Sequence, residues 1–344
     1  MSVTYGGTNV TFPDGSVLGT AGYVPFRNKI INGDMKIAQR GTVTGAGIDT
    51  YGGCDRWKVW CADGGESGRV TMSQSTDAPT GFSYSQKLEV TTAQTSISSG
   101  HGFELMQRIE NINCADLGFG VANKYVTVSF WAKASKTGTY CVNLFYNGTS
   151  TSKINVREVS LTSTWTYYTL TFSTDSAQAL SLSGTSNVQL GIGLMFGSQW
   201  KNAVTTNTWS THNGTNWVTS NQVNFFDTVG NTINISGVQL EPGSVATPFE
   251  SIPYQQQIQL CQRYYLSYTL ASTCTSWSVN STQNLAIGYP VQMRAAPTYK
   301  GILSGSWSGN TPSENYNSKD GYTWYHTNYF YGNGSLVVGF EAEI

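Results

Sequence analysis

Four segments in the first two thirds of the chain alternate apolar and polar residues, and this alternation constrains the fold more than any other feature. The segments are residues 126–132, 140–146, 166–172 and 188–194. A period of two places every second side chain on one face of a β-strand. Because no helical pattern interrupts them, around eight such strands bury their apolar faces by packing one antiparallel sheet on another. The sequence therefore predicts an all-β fold in which residues 27–250 form a β-sandwich.

Composition agrees with β-structure and narrows the range of partners. Charged residues make up 11% of the chain, against roughly 25% in ordinary soluble domains. The net charge is −1 and no basic run occurs, so we do not expect a nucleic-acid partner. No apolar stretch approaches the ~20 residues of a membrane-spanning helix, and we expect no membrane insertion. Carbohydrate-binding and extracellular fibrous proteins have this profile, and so does any large β-sandwich.

One convincing helical pattern follows the predicted sandwich, over residues 254–268. Tyr254, Ile258, Cys261 and Tyr265 recur at spacings of four, three and four, which is the rhythm of a coiled-coil seam. A helix of about four turns is marginal alone in water, so we expect its apolar stripe to be buried. We predict that residues 251–268 form a helical connector at the axis of a homo-oligomer, a trimer. The rhythm does not choose three chains over two, and it fits packing on the chain's own sandwich equally well.

Residues 269–344 predict a second, smaller β-domain. Segments at 286–293, 322–326, 329–331 and 335–340 are typical of strands, and the residues between 304 and 320 are rich in Gly, Ser and Asn. Arg294 lies beside a Pro-bounded turn, where a guanidinium is suited to bind carbonyl oxygens or a carboxylate of a neighbouring element. We expect Arg294 to have a structural role at a domain or subunit junction.

Several short motifs resemble those of bacteriophage tail-fibre and receptor-binding proteins. They are Phe-Pro-Asp-Gly-Ser-Val at 12–17, the segment 254–268, Pro-Val-Gln-Met-Arg-Ala-Ala-Pro at 290–297 and Phe-Glu-Ala-Glu-Ile at 340–344. The resemblance implies a virion protein on a tail fibre or another exterior appendage, made in the host cytoplasm, that attaches the particle to a host-surface glycan. It also implies that residues 1–26 are a leader that binds other tail or capsid proteins; an edge hairpin on the next domain fits the same residues. A head or baseplate decoration protein and a polysaccharide-degrading enzyme are the alternatives.

The predicted sandwich resembles jelly-roll carbohydrate-binding modules, chiefly at its two ends. Asn-Lys-Ile-Ile-Asn-Gly-Asp at 28–34 opens it, Phe-Trp-Ala-Lys-Ala lies at 130–134, and Gly-Val-Gln-Leu-Glu at 237–241 closes it. The resemblance implies a jelly roll that often holds a structural calcium between its first and last strands. Asp34 is compatible with such a site, but Ser236 and Gly237 replace the acidic pair of the family. We therefore expect neither a bound metal nor a cofactor.

Glycan binding requires flat aromatic rings for the C–H faces of sugars and short polar groups for their hydroxyls. Two regions supply both. The candidate residues are Trp200, Trp209 and Trp217 on the predicted sandwich, and Trp307, Tyr316, Tyr322 and Trp324 on the C-terminal domain. Trp131 and Trp165 lie within strand patterns and are assigned to the core. Hydrophobic packing is the alternative in both regions. We expect the C-terminal domain to carry recognition, with Trp209 and Trp217 as the rival site.

The sequence offers no specific catalytic signature. It has no Gly-x-Ser-x-Gly motif, and its three histidines lie in unrelated segments. Glu104, Glu110 and Asp116 are close in sequence, but glycoside hydrolysis requires two carboxylates that converge across a cleft. We therefore predict that the protein is not an enzyme and has no catalytic residues. The six cysteines lack zinc-ligand spacing and are expected to be reduced and buried; a pair between Cys54 and Cys61 across a hairpin is the alternative.

Overall fold

The structure is a computed structural model. It describes residues 4–6, 9–11, 17–19, 26–47, 49–62, 69–183, 187–201, 204–274, 282–304, 313–327 and 332–343. Near the N-terminus three short strands pair in chain order as a small antiparallel sheet. They are β1 (Thr4–Gly6), β2 (Asn9–Thr11) and β3 (Val17–Gly19).

Two antiparallel sheets form the main body, which is a jelly-roll β-sandwich. Its strands are β4 (Val43–Ala46), β5 (Thr50–Tyr51), β6 (Lys58–Cys61), β7 (Arg69–Ser75), β8 (Ser85–Thr92), β9 (Gly102–Glu110), β10 (Tyr125–Ala134), β11 (Gly138–Asn147), β12 (Ser152–Leu161), β13 (Thr166–Ser173), β14 (Asn187–Phe196), β15 (Ser210–Thr211) and β16 (Thr232–Pro242). A six-stranded sheet has the order β13-β10-β16-β8-β7-β4, and a seven-stranded sheet has the order β15-β12-β11-β14-β9-β6-β5. Short 3-10 helices cover Asn111–Leu117, Ser198–Trp200 and Phe225–Asp227.

The alternating segments form strands, and their apolar faces meet between the two sheets. Val126, Val128 and Phe130 of β10 are at most 1% exposed, and they belong to one core with Val142 and Leu144 of β11. The predicted period of two is thereby confirmed in these strands. Burial of a large apolar side chain contributes about 1.5–3 kcal/mol, so this shared core holds the two sheets together.

The segments that open and close the sandwich lie side by side although more than 200 residues separate them. The Asn28 side chain accepts hydrogen bonds from the backbone N–H of Ile30 and of Leu240, and the Glu250 carboxylate accepts from the backbone N–H of Phe26 and of Asn28. These bonds give partners to backbone N–H groups in the opening and closing segments, which would otherwise be unpaired. They close the sandwich as one unit.

The predicted helix is shorter than expected. Helix α1 covers only Tyr254–Gln262, and strand β17 (Tyr265–Cys274) follows after two residues. The prediction of helix up to residue 268 is therefore wrong, and so is the boundary of the C-terminal domain at residue 269. The strand prevails because all ten of its residues pair with β22 (Gly332–Glu341), whereas a helix of this length gains little on its own.

Two three-stranded antiparallel sheets make up the C-terminal domain, which begins at β17. Its other strands are β18 (Thr282–Gly288), β19 (Thr298–Ser304), β20 (Ser313–Asn317) and β21 (Gly321–Thr327). The sheets have the orders β17-β22-β19 and β18-β21-β20. A small core that includes Leu266, Met293 and Phe340 holds them together. Over the part of the chain that the structure describes, no helix is long and apolar enough to span a membrane.

Candidate functional site

The outer face of the seven-stranded sheet carries the most distinctive group of side chains. Val59 and Phe103 point into the core, so their neighbours Trp60 on β6 and Glu104 on β9, which pair across the strands, point outward. Asn143 on β11 and Gln189 on β14 lie beside Glu104 and donate hydrogen bonds to its carboxylate. This face therefore combines a polar centre with aromatic side chains.

Four half-buried aromatic side chains lie together on this face: Trp60, Phe145, Trp200 and Trp217, here called the aromatic cluster. The ring centroid of Trp60 lies 5.5 Å from that of Trp200 and 5.8 Å from that of Trp217, and Phe145 is stacked 6.0 Å from Trp217. The rings rest on a buried layer that includes Ile154, Val156, Phe196 and Val218. Centroid separations of 4.5–7 Å are those of mutually stabilising aromatic pairs.

Hydrogen bonds fix the segment that brings Trp200 and Trp217 to the sheet. The Trp200 indole N–H donates to the Gly100 carbonyl at 2.9 Å, and the Trp200 carbonyl accepts from the backbone N–H of Trp217. The Gln222 amide accepts from Cys141 N at 2.7 Å and donates to the Gly193 carbonyl at 3.0 Å. These bonds tie the segment to strands β11 and β14 and so fix where Trp200 and Trp217 lie.

His212 and Trp217 supply the polar atoms at the edge of the aromatic cluster. The His212 ring lies 4.6 Å from the Trp217 ring and hydrogen-bonds Asn216 through Nδ1 at 3.0 Å. Burial lowers the pKa of His212, although the hydrogen bond with Asn216 opposes this effect. The lowered pKa favours the neutral imidazole. The indole N–H of Trp217 is buried and has no hydrogen-bond partner among the described residues. The half-buried His212 is the polar group at this edge that is suited to a sugar hydroxyl.

The structure separates the three tryptophans that the sequence grouped on the sandwich. Trp209 is remote from the aromatic cluster: its ring packs against Phe119 and Tyr146 at 5.4 and 5.3 Å, and its N–H donates to the Ser173 carbonyl. For Trp209 the packing alternative applies. Sequence reasoning missed Trp60 and Phe145. Their positions between inward-pointing residues of β6 and β11 were the signal that could have placed them on the outer face.

The candidates on the C-terminal domain do not form a described surface. Tyr322 is 2% exposed and lies in the domain core, 5.1 Å from Phe340 between ring centroids, so it cannot contact a ligand without repacking. Tyr316 and Trp324 lie on strands β20 and β21, and their side chains fall outside the described part of the chain. Trp307 lies outside the described residues altogether.

Trp131 and Trp165 are not core residues, contrary to the sequence assignment. Trp131 lies on the outer face of the six-stranded sheet because its neighbours Phe130 and Ala132 point inward, and its ring is 5.3 Å from that of the exposed Tyr167. Trp165 donates its N–H to Asp77 at 3.0 Å. Both tryptophans are half-buried. A tryptophan within an alternating pattern can occupy either face of the sheet, so the pattern alone did not justify assigning these two residues to the core.

The four residues predicted for an oligomer seam do not share one surface in the folded chain. Tyr254 is 57% exposed and Ile258 is half-buried, but Cys261 is fully buried and Tyr265 is 4% exposed on strand β17. The stripe ends where the helix ends, so half of it packs within the chain, which was the stated alternative. Tyr254 and Ile258 remain on the surface of α1.

The three acids considered for glycoside hydrolysis have separate partners. Glu110 accepts two hydrogen bonds from Arg263 at 2.9 and 3.0 Å, and Asp116 pairs with Lys29 at 2.7 Å. Glu104 is fully buried, and burial raises its pKa to about 7 despite the hydrogen bond from Asn143. Within the described residues no group of His, Cys, Asp and Glu could hold a metal ion.

Five of the six cysteines are described, and all five are buried and free. The prediction of reduced, buried cysteines is confirmed for Cys54, Cys61, Cys114, Cys141 and Cys261, and the alternative of a pair between Cys54 and Cys61 is wrong. Cys274 is described as a residue of β17 only by its backbone.

A cavity lies between the sandwich and the C-terminal domain. This interdomain cleft has a volume of about 810 Å³ and is lined by residues of both domains. Ion pairs join its two walls: Arg40 binds Glu341 at 2.9 Å and Glu343 at 3.0 Å, and Arg56 also binds Glu343. Arg294 donates to the carbonyls of Ala342 and Glu343 at 2.8 and 2.7 Å, so the predicted carbonyl contacts of Arg294 are confirmed.

Neither protein-family models nor curated proteins match this sequence. Among solved structures, the enzymatically active domain of tailspike protein 4 of bacteriophage CBA120 is similar over 64% of this chain, with 13% identity and a TM-score of 0.32; the chain spans only 22% of that protein. A family 4 carbohydrate-binding module is similar over 62% of this chain and 98% of its own length, with 19% identity and a TM-score of 0.33. The family 11 carbohydrate-binding module of a cellulosomal cellulase of Clostridium thermocellum is similar over 60% and 98%, with 10% identity and a TM-score of 0.31. Similarity this low carries no conclusion about function.

Proposed function

We propose that this chain is an adhesin of a phage virion, a tail-fibre or receptor-binding protein, that holds a host-surface glycan on the aromatic cluster. The observation that carries the proposal is the cluster itself: Trp60, Phe145, Trp200 and Trp217 form one half-buried aromatic surface on a hydrogen-bonded scaffold. Four aromatic rings that merely filled a core would be buried fully, whereas a sugar needs ring faces at the surface.

We propose the sandwich, and not the C-terminal domain, as the location of this site. Tyr322, the one C-terminal candidate whose side chain is described, is in a core. The aromatic cluster, by contrast, presents half-buried rings on the sandwich, with the half-buried His212 beside them. The C-terminal domain then serves as a support fixed to the sandwich by the ion pairs of Arg40 and Arg56.

The proposed assembly is a homotrimer, attached through residues 1–26 to other tail or capsid proteins. A single aromatic cluster binds a glycan weakly. Three copies on one particle raise the effective affinity, because they present several sites to the same surface. The exposed Tyr254 and the half-buried Ile258 of α1 are the remaining candidates for contacts between chains. Light scattering of the purified protein tests the assembly, and a monomer at micromolar concentration would contradict it.

Glycan binding is tested with the full chain on an array of bacterial oligosaccharides, followed by calorimetry with the best ligand. We expect Trp217→Ala to lower the affinity at least about fivefold, because stacking on one ring contributes about 1 kcal/mol or more. Trp165→Ala, on the opposite sheet, is the matched control and should bind normally. Trp217→Phe, which keeps a ring, distinguishes loss of stacking from loss of folding.

Three results would contradict the proposal: no glycan bound by the folded protein, equal losses in the Trp217 and Trp165 variants, or release of reducing ends from the bound oligosaccharide. The first would favour a decoration protein of the head or baseplate. The last would favour a polysaccharide-degrading enzyme.

A further inference from the structure

Four Asn-Gly pairs occur in the chain, at 32–33, 147–148, 213–214 and 333–334. Asparagine is chemically labile in such a pair, because glycine places no side chain in the way when its backbone nitrogen attacks the asparagine amide. The attack converts the amide into an acid. The structure describes the side chains of the first three asparagines, and these differ in exposure and in the partners of the amide nitrogen that has to leave.

Hydrogen bonds hold the amide nitrogens of Asn32 and Asn147. Asn32 is 1% exposed, and its Nδ2 donates to the carbonyls of Ile37 and Asp55 at 2.8 and 3.0 Å. Asn147 is half-buried, and its Nδ2 donates to Ser152 Oγ at 3.1 Å. The leaving nitrogen is therefore bound in both residues, and Asn32 is also shielded from solvent.

Asn213 has the opposite environment. Asn213 and Gly214 are both exposed, and a Cβ added at Gly214 would meet no atom within 4 Å. Oδ1 of Asn213 accepts hydrogen bonds from N and Oγ1 of Thr215, each at 2.9 Å, whereas its Nδ2 donates to no residue in the described part of the chain. A side-chain oxygen that bonds the N–H two residues further on folds the side chain back over the peptide between them. The amide carbon of Asn213 thus lies beside the Gly214 nitrogen.

We propose that Asn213 is a modification site, at which the side-chain amide converts spontaneously into aspartate and isoaspartate. Gly214 N loses its proton to water and forms a bond to Cγ of Asn213. The Cγ–Nδ2 bond breaks, and the nitrogen leaves as ammonia with a proton taken from water. The product is a cyclic imide, which water opens at Cγ to give aspartate or at the backbone carbonyl to give isoaspartate. The two donors of Thr215 stabilise the negative charge that develops on Oδ1 during the attack.

Residue 213 belongs to the segment that fixes the edge of the aromatic cluster. Its backbone N–H donates to Oδ1 of Asn216 at 3.2 Å, and the same oxygen bonds Nδ1 of His212 at 3.0 Å. The ring of His212 lies 4.6 Å from that of Trp217. Isoaspartate routes the backbone through the side-chain carbons and so lengthens it, which changes the spacing of these bonds. Conversion therefore adds a negative charge beside the cluster and displaces His212 from Trp217.

The effect on glycan binding rests on the proposed function. Residue 213 carries no ring of the aromatic cluster, but its conversion changes the edge at which a sugar hydroxyl meets His212. A virion protein is not replaced after assembly, so the converted fraction increases with the age of the particle. Glycan affinity should therefore decline with age.

Peptide mapping by mass spectrometry, on the full chain incubated in mildly alkaline buffer, measures the conversion of each asparagine. Asn213 should convert at least about tenfold faster than Asn32 and Asn147, which react only after local unfolding frees their amides. In urea, where the fold no longer distinguishes the three pairs, their rates should become similar. Equal rates in the folded protein, or an Asn213 that remains an amide, would overturn the proposal.

Thr215→Val keeps the branched shape of the side chain and removes its hydroxyl donor. Conversion of Asn213 should then become about fivefold slower, as expected for the loss of one hydrogen bond. Thr208→Val is the matched control, because Thr208 is exposed in the same segment and its hydroxyl donates to the Thr206 carbonyl. The same rate in the Thr215 variant as in the unmodified protein, or an equal change in both variants, would overturn the assignment of Thr215.

Calorimetry with the glycan found for the aromatic cluster compares fresh and converted protein. We expect the affinity of the isoaspartate form to be at least about fivefold lower. Asn213→Gln, whose longer side chain closes the corresponding ring far more slowly, should keep its affinity through the same incubation. Unchanged affinity after conversion would overturn the effect on the cluster. The mass measurement needs no bound glycan, so failure of this proposal is distinguishable from failure of the proposed function.

Discussion

Replacing Glu104 by Gln should remove a pH dependence from the stability of the sandwich. Burial raises the pKa of Glu104 from 4.5 to about 7. Between these two pH values the folded state keeps a proton that the unfolded chain has lost, so the free energy of unfolding falls as the pH rises. The contribution is fully present below pH 4.5 and lost above about pH 7. At ~1.4 kcal/mol per pH unit, the loss is about 3 kcal/mol.

A glutamine at position 104 can occupy the same space and keep a hydrogen bond to each of its two neighbours. Gln189 already donates to one carboxylate oxygen at 3.1 Å, and the side-chain oxygen of Asn143 is buried without a partner. With the Asn143 amide turned over, that oxygen accepts a hydrogen bond from the new side-chain N–H. The protonated form of Glu104 would make the same bond, so the substitution mimics the neutral acid.

Urea unfolding followed by tryptophan fluorescence at a series of pH values measures the effect. The stability of Glu104→Gln relative to the unmodified protein should increase by about 3 kcal/mol between pH 4.5 and about pH 8. Glu89→Gln, at a side chain that is 45% exposed and paired with Lys87, is the control for a carboxylate at the surface. Parallel pH profiles for the Glu104 variant and the unmodified protein would refute the reasoning, because they would show that the buried acid ionises as it does in the unfolded chain.

Three further substitutions test the packing. Trp209→Ala should lower the free energy of unfolding by about 3–5 kcal/mol in urea unfolding, because its ring packs on Phe119 and Tyr146, yet leave glycan affinity unchanged; lost binding at full stability would contradict this. Arg294→Ala removes two charge-assisted hydrogen bonds to backbone carbonyls and should lower the melting temperature measured by calorimetry, with Arg294→Lys intermediate; an unchanged melting temperature would reverse the assignment. Gly237→Ala should cost about 2 kcal/mol in the same unfolding assay, because Gly237 has φ of +61° and an added Cβ would lie 2.6 Å from the Phe82 ring; a neutral effect would refute the argument from backbone strain.

The alternating pattern predicted the sandwich correctly because each strand shows that pattern within its own short segment. Periodicity failed at residue 265, where the four-three rhythm of the apolar residues continued into β17. Pairing of that strand with β22, more than 50 residues further along, decided the structure there. Pairing between strands so far apart in the chain cannot be recognised in a short window of sequence.

The aromatic cluster was only partly predictable for a similar reason. Trp200 and Trp217 lie among polar residues, which indicated a surface position. Trp60 and Phe145 lie in strands, where alternation shows which side chains share a face. It does not show which of the two faces is buried, so either residue could have faced the core. The interdomain cleft could not be predicted, because Lys58 and Lys300 become neighbours of one cavity only when two domains pack together.

The short passage from α1 to β17 gives the molecule a mechanical property. Only Arg263 and Tyr264 separate the two elements, and both bind the Glu110 carboxylate at the end of β9, at 2.6 to 3.0 Å. A force applied to the C-terminal domain is therefore transmitted directly to strand β9 of the sandwich, because no long linker lies between α1 and β17.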